Sequence, residues 1–124
     1  GAGVITGPSL TDRSKPELKR LSMKAPAILH RAGVKFALMT DHGVIPEQYL
    51  PVEAGLCVRE GLPEMEAMRA ITINAAEVIG LADRIGSLAP GKDADLALFD
   101  GHPLETRTHT SLVLVGGEVA YERN

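Results

Sequence analysis

Few residues of this chain combine a reactive type with a suitable setting, and Asp41 heads them. It closes the apolar run "VKFALMTDHGVIP", residues 34 to 46, and is followed by His42 and Gly43. A carboxylate at the end of a strand can cap the following turn, for which Asp is a favoured residue. It can also ligate a metal or act as a general base. The residues by themselves leave all three roles open. Arg13 and Lys15, in "LTDRSKPE", are cations that could reach a substrate carboxylate, or simply belong to a solvated loop. The four histidines, His30, His42, His102 and His109, form no His-x-His pair. His30 lies in a helical stretch and His102 and His109 in a β stretch, so each reads as a solvated or packing residue. Cys57 sits among Val52, Leu56 and Val58, a pattern that favours burial over reactivity. Lys92 in "PGKDAD" is followed by Asp93, so the Gly-x4-Gly-Lys-[Ser/Thr] order of a phosphate loop is absent.

The elements that position Asp41 follow from local patterns. Val34–Thr40 reads as a strand. Alternation places Lys35, Ala37, Met39 and Asp41 on one face and Val34, Phe36, Leu38 and Thr40 on the other. It aims His42 away from the face of Asp41. Both faces are largely apolar, as in a parallel strand covered on both sides. Upstream, "GVITG" reads as a second strand, and "SLTDRSKPELKR" as a loop with a turn of helix capped by Ser14 and Glu17. "KAPAILHRAG" is a short helix with Pro26 in its first turn and Gly33 past its end. Three short helices follow from Tyr49 onward. Pro51 and Pro63 stand near the starts of the first two, Gly61 ends the first, and Asn74 with Glu77 has the outline of a capping box for the third. After about Arg84 the pattern becomes extended, with a turn at Pro90-Gly91-Lys92 and a hairpin around Gly116-Gly117. Alternating strand and helix in the first two thirds predicts an α/β architecture, whose chemistry sits at the C-terminal strand ends. Asp41 is at such an end.

Composition narrows the function classes. The 124 residues suit one domain of ordinary size, 44% hydrophobic but only 3% aromatic and without Trp, so the core must be aliphatic. A net charge of -3, from 13 basic and 16 acidic residues, leaves no electrostatic footprint for nucleic acid and no basic face for a membrane. No apolar stretch approaches the roughly 20 residues of a spanning helix. The single Cys57 permits no internal disulfide and fits a cytoplasmic location. The opening "GAGVITG" has neither an initiator Met nor a signal pattern, and reads as the middle of something larger.

"TDHGVIP", the stretch from "AGLCVREGLPEMEAMRAITINAAEVIGLADRIGSLAPGKDADLALFDGHPL", and the closing "VLVGGEVAYER" together resemble the C-terminal part of a metal-dependent amidohydrolase of the imidazolonepropionase-like branch. The most specific piece is "IGSLAPGKDADLALFD", with "ITINAA" and "IGL" nearly as specific. The resemblance implies a (β/α)8 barrel with one or two divalent metals, zinc foremost, at its C-terminal mouth, and a small β-sandwich after it. The family aspartate at the tip of the eighth strand maps onto Asp41, with the implied roles of metal ligand and general base. Thr40 and His42 then flank and support it.

The sequence departs from a complete enzyme. A barrel needs about 250 residues, and at least about 200. The family's remaining ligands, on earlier strands, have no counterpart here. The resemblance therefore implies the seventh and eighth strands with their helices over residues 1–82, and the last sandwich strands over 83–124. The expected partners are the missing N-terminal part of the barrel and a small-molecule amide substrate. The metal belongs to the complete enzyme rather than to this chain alone. A competing reading is a non-catalytic fragment or assembly module. A response-regulator-like domain fits poorly, since "GVITG" brings no acidic cluster. Two strands cannot close a barrel, so bare strand edges predict self-association.

Overall fold

The computed structural model describes residues 3–124. Gly1 and Ala2, which the expected 1–82 unit includes, lie outside the described residues. Strand β1, Val4–Thr6, pairs in parallel with strand β2, Phe36–Leu38, in the register Val4↔Phe36, Ile5↔Ala37 and Thr6↔Leu38. Parallel pairing requires a long crossover. Residues 7–35 supply it, with a 3-10 turn over Pro16–Leu18 and helix α1 over Ala25–Arg31.

Helices α2 (Leu50–Arg59), α3 (Glu64–Ala70) and α4 (Ile73–Val78) follow, with a 3-10 turn over Glu47–Tyr49 ahead of them. None is long enough to be stable alone in water. Their stability comes from packing. Ala54, Cys57, Leu62, Ala67 and Ala70 bury against Phe36 and Leu38 of β2. The small alanines let the helices approach the sheet closely, and Phe36 is the one aromatic in this otherwise aliphatic core.

The remainder forms an antiparallel sheet of β3 (Leu96–Phe99), β4 (Thr110–Val115) and β5 (Glu118–Glu122), in the order β3-β4-β5. The β4–β5 turn places Gly116 and Gly117 at φ 60° and 85°, the pair of positive φ values that a two-residue hairpin loop needs. Its tip docks on the start of β3. Gly117 N–H donates to Ala94 O at 3.0 Å and Gly116 N–H to Asp95 Oδ1 at 2.8 Å. Leu98, Phe99, Val115, Val119 and Tyr121 remain exposed on this sheet, which pairs with no further strand among the described residues. Leu104, in the β3–β4 connection, buries in the helical core and joins the two parts. No described helix is long and apolar enough to cross a membrane.

Three local expectations need correction. β2 is shorter than Val34–Thr40, because pairing with the three-residue β1 limits the ladder. Ser14 and Glu17 form no capping box: the turn at Pro16 has Lys15 before it, and the Ser14 hydroxyl donates instead to Asp12 Oδ1 at 2.7 Å. Asn74 is not an N-cap either. Helix α4 begins at Ile73, one residue earlier, after Thr72, and Asn74 is buried inside it. Its Nδ2 donates to Phe36 O at 3.1 Å. A tertiary bond to the strand outcompetes the local one because the strand carbonyl is buried and needs a donor.

Candidate functional site at the strand tips

Because β1 and β2 are parallel, their C-terminal ends open on one edge, and two loops leave it side by side. Met39 N–H donates to Thr6 O at 3.1 Å, which carries the pairing one step beyond the ladder. Gly7 makes this approach possible. A Cβ there would lie 2.0 Å from Met39 O, and φ is +137°, so only glycine fits.

Asp41 stands at this edge, with its side chain exposed. Its φ of 52° is the only positive value on a non-glycine residue among the described residues. Asp tolerates the left-handed region better than most residues, yet such backbone strain recurs at functional sites. The turn it opens is closed by main chain: Asp41 O accepts from Val44 N–H at 2.8 Å and Thr40 O from Ile45 N–H at 3.3 Å. Among the described residues the Asp41 carboxylate itself accepts no hydrogen bond. The capping role therefore falls to the backbone, and both carboxylate oxygens stay available.

The turn also ends the alternation expected to run through His42. His42 is exposed, and its Nδ1 accepts from Glu47 N–H at 3.2 Å, tying residue 42 to the 3-10 turn ahead of α2. Thr40 is buried beneath Asp41. In the neighbouring loop, Arg13 Nη2 donates to Leu21 O at 3.0 Å, which turns that side chain back along its own crossover. Lys15 is exposed. The bonds from Ser14, first its hydroxyl and then its amide, hold the Asp12 carboxyl below its ordinary range, and the charge of Lys15 adds to this.

The other histidines are occupied elsewhere. His102 Nε2 lies 3.1 Å from Glu64 Oε1, His109 Nδ1 3.4 Å from Asp100 Oδ2, and His30 Nδ1 3.9 Å from Glu66 Oε2. Among the described residues no three His, Cys, Asp or Glu side chains cluster closely enough to hold a metal ion. Zinc takes three or four protein ligands. Asp41 fits as one oxygen ligand, and these residues do not complete the set.

One buried side chain, Glu53, belongs to no motif that singles it out, and Lys92 has a role that its motif does not show. Glu53 of α2 is wholly buried, at 0% exposure. Its Oε1 accepts from Ser9 N–H at 2.7 Å, while Oε2 is buried without a partner among the described residues. Desolvation pushes its carboxyl above the ordinary glutamate value, against the opposing effect of the Ser9 bond. Its spacing was the available signal, since Glu53 lies one helical turn before the apolar Cys57. Lys92, which lacks a phosphate-loop context, is a structural clamp. Its Nζ donates to Ala82 O, to Ile85 O at 3.3 Å and to Ser87 Oγ at 2.7 Å.

A parallel strand pair backed by helices, with a carboxylate just past the strand end, makes this part of the chain a small α/β unit. The chain belongs to the amidohydrolase family, whose profile matches residues 4–121. Within it the chain falls in the imidazolonepropionase-like branch. It is 50% identical over 72 residues to the imidazolonepropionase of Geobacillus kaustophilus HTA426, covering 56% of this chain and 17% of that protein. It is 41% identical over 96 residues to the imidazolonepropionase of Geobacillus thermodenitrificans NG80-2, covering 70% and 23%. The solved structure of an amidohydrolase from Thermotoga maritima MSB8 superposes with a TM-score of 0.94 at 43% identity, over 98% of this chain and 32% of that one. The chain thus spans less than a quarter of the length of these curated relatives. Membership of this superfamily implies a divalent metal in the full enzyme.

Proposed function

We propose that this chain is the C-terminal part of a metal-dependent amidohydrolase that hydrolyses the C–N bond of a small cyclic or peptide-like amide. In this reading residues 1–82 form the seventh and eighth barrel units and residues 83–124 the last strands of a β-sandwich. The observation that carries it is the exposed Asp41 carboxylate, free of hydrogen bonds among the described residues and held in a left-handed conformation at a strand tip. A divalent metal, with zinc the candidate, would supply acidity to a bound water, lowering its pKa from 15.7 towards about 7. Asp41 would contribute one ligand oxygen, take the proton from the water and return it to the departing nitrogen. Lys15, exposed on the adjacent loop, and Arg13, once released from Leu21 O, would meet an anionic part of the substrate, and Thr40 and His42 would hold the turn that presents Asp41.

A single carboxylate does not hold zinc, so the chain acts only when the rest of a barrel is supplied. Taken alone it is an inactive assembly module. The outer edges of β1 and β2 and the exposed apolar side chains of β3–β5 support that second reading. Sedimentation of the isolated chain should show self-association, and a compact 13.2 kDa monomer would count against it.

The catalytic reading is tested in a chimera in which this chain replaces the matching segment of the Geobacillus kaustophilus imidazolonepropionase. The chimera should retain divalent metal and hydrolyse imidazolonepropionate. Asp41→Asn should lower kcat by about 100-fold or more, the scale of lost general-base catalysis. An Asp41→Asn chimera with undiminished kcat would refute the assignment.

A further inference from the structure

Glu53 is a carboxylate in an apolar place. It lies in the first half of α2, next to the buried Ala54 and one turn before the buried Cys57. Burying a carboxyl group is costly unless it is well bonded, and among the described residues only one of its oxygens has a partner. That partner, the amide of Ser9, is 44 residues away in sequence. An aliphatic side chain would fill the same space. What only the carboxylate adds is an acceptor for a main-chain N–H that lies outside any strand ladder.

Ser9 begins the loop that leaves β1 at the edge where Asp41 stands. Two residues earlier Gly7 is pressed against Met39 O of the neighbouring strand, and Pro8 between them is buried. The loop is therefore fixed at Gly7 by β2 and at Ser9 by α2. Beyond Ser9 its residues turn exposed, and the cations Arg13 and Lys15 follow within six positions. We propose that Glu53 is a positioning residue, which reaches from α2 through the Ser9 amide to set the path of the loop carrying Arg13 and Lys15 at the mouth. This rests on the reading of that edge as the substrate mouth, but its first test does not.

That test is amide exchange on the full 124-residue chain, with Cys57 labelling by a thiol reagent as the control for the core. In the wild type the Ser9 amide should exchange far more slowly than the exposed amide of Lys15. Glu53→Leu should speed Ser9 exchange at least about tenfold, the scale of a lost bond to a charged acceptor, while Cys57 stays unlabelled. Glu53→Gln, which keeps an acceptor oxygen, should restore protection. The proposal is overturned if wild-type Ser9 exchanges as fast as Lys15, or if Glu53→Leu leaves Ser9 unchanged. It is also overturned if both variants expose Cys57 together with Ser9, since Glu53 would then serve the core alone. Should Glu53→Leu fail to fold, the wild type and Glu53→Gln decide, with slow Ser9 exchange required in both.

The second arm uses the imidazolonepropionase chimera. Glu53→Leu should raise KM about tenfold with kcat within about threefold, and Glu53→Gln should recover most of it, because a displaced loop weakens substrate binding more than chemistry. An unchanged KM in Glu53→Leu overturns the positioning role even where the Ser9 bond is real. A chimera without activity refutes the reaction and leaves the tether to stand or fall on exchange.

Discussion

Asn74 Nδ2 lies 3.1 Å from Phe36 O, and this bond helps fasten α4 to β2, the buried strand that ends three residues before Asp41. Asn74→Leu should fill similar space yet leave the Phe36 carbonyl without its donor. The expected loss is about 1–3 kcal/mol, the scale of an unsatisfied buried group. A lowered midpoint in urea with an unchanged m-value would register it. An unchanged midpoint would mean that the carbonyl finds another donor.

Asp41 should trade stability for function. An L-residue in the left-handed region costs roughly 1–2 kcal/mol, less for Asp than for most. Glycine removes that strain at the expense of a looser unfolded chain, about 0.4–1 kcal/mol. Asp41→Gly should therefore leave stability unchanged or raise it by up to about 1 kcal/mol, whereas Asp41→Val should lower it. Both should lose turnover in the chimera. A markedly destabilised Asp41→Gly would mean that the carboxylate holds the fold rather than the chemistry.

Cys57 should be silent in the folded protein. Burial, then the nearby charges of Glu53 and Glu60, pushes its thiol up to about 12, and the thiolate is the nucleophile. Labelling at pH 8 should be slow in buffer and fast in denaturant. Rapid labelling of the native chain would contradict the packing of α2.

Lys92 should act on stability rather than on substrate. It joins the end of the helical part to the start of β3 through three acceptors. Lys92→Met keeps the stem and removes those bonds. The expected cost is about 1–3 kcal/mol, with KM in the chimera unchanged. A KM increase would reopen a ligand role for this lysine.

Acid titration should reveal Glu53. Its folded carboxyl lies above the ordinary value of 4.5, so between that value and the raised one the folded state holds more protons than the unfolded state. Stability then falls as pH rises through this window, and the contribution is fully present below 4.5. Glu53→Gln should flatten the slope there. Asp100 works the other way. The His109 amide bond lowers its carboxyl below 3.8, so its contribution is lost only as pH falls further. A slope just above pH 4.5 that survives Glu53→Gln would assign the titration to another group.

Short-range signals in the sequence sufficed for much of this protein. Pro51, Pro63 and Gly61 bracket the helices, Gly116-Gly117 makes the hairpin, and the apolar run ending in Asp41 is a buried strand with a carboxylate at its tip, because each depends on φ, ψ preferences or side-chain periodicity within a few residues. Cys57 was legible as a core residue for the same reason. Only the tertiary structure decided where the polar side chains spend their bonds. Asn74 looked like a helix cap and instead serves Phe36, 38 residues away. Glu53 drew no notice and holds Ser9 across 44 residues. Lys92, in a stretch without the phosphate-loop order, clamps its own loop. Asp41 left the alternation of its strand for a left-handed turn. The physical reason is shared: a buried carbonyl or amide that lacks a ladder partner must be satisfied from whatever element folding brings beside it, and no local pattern records which element that will be.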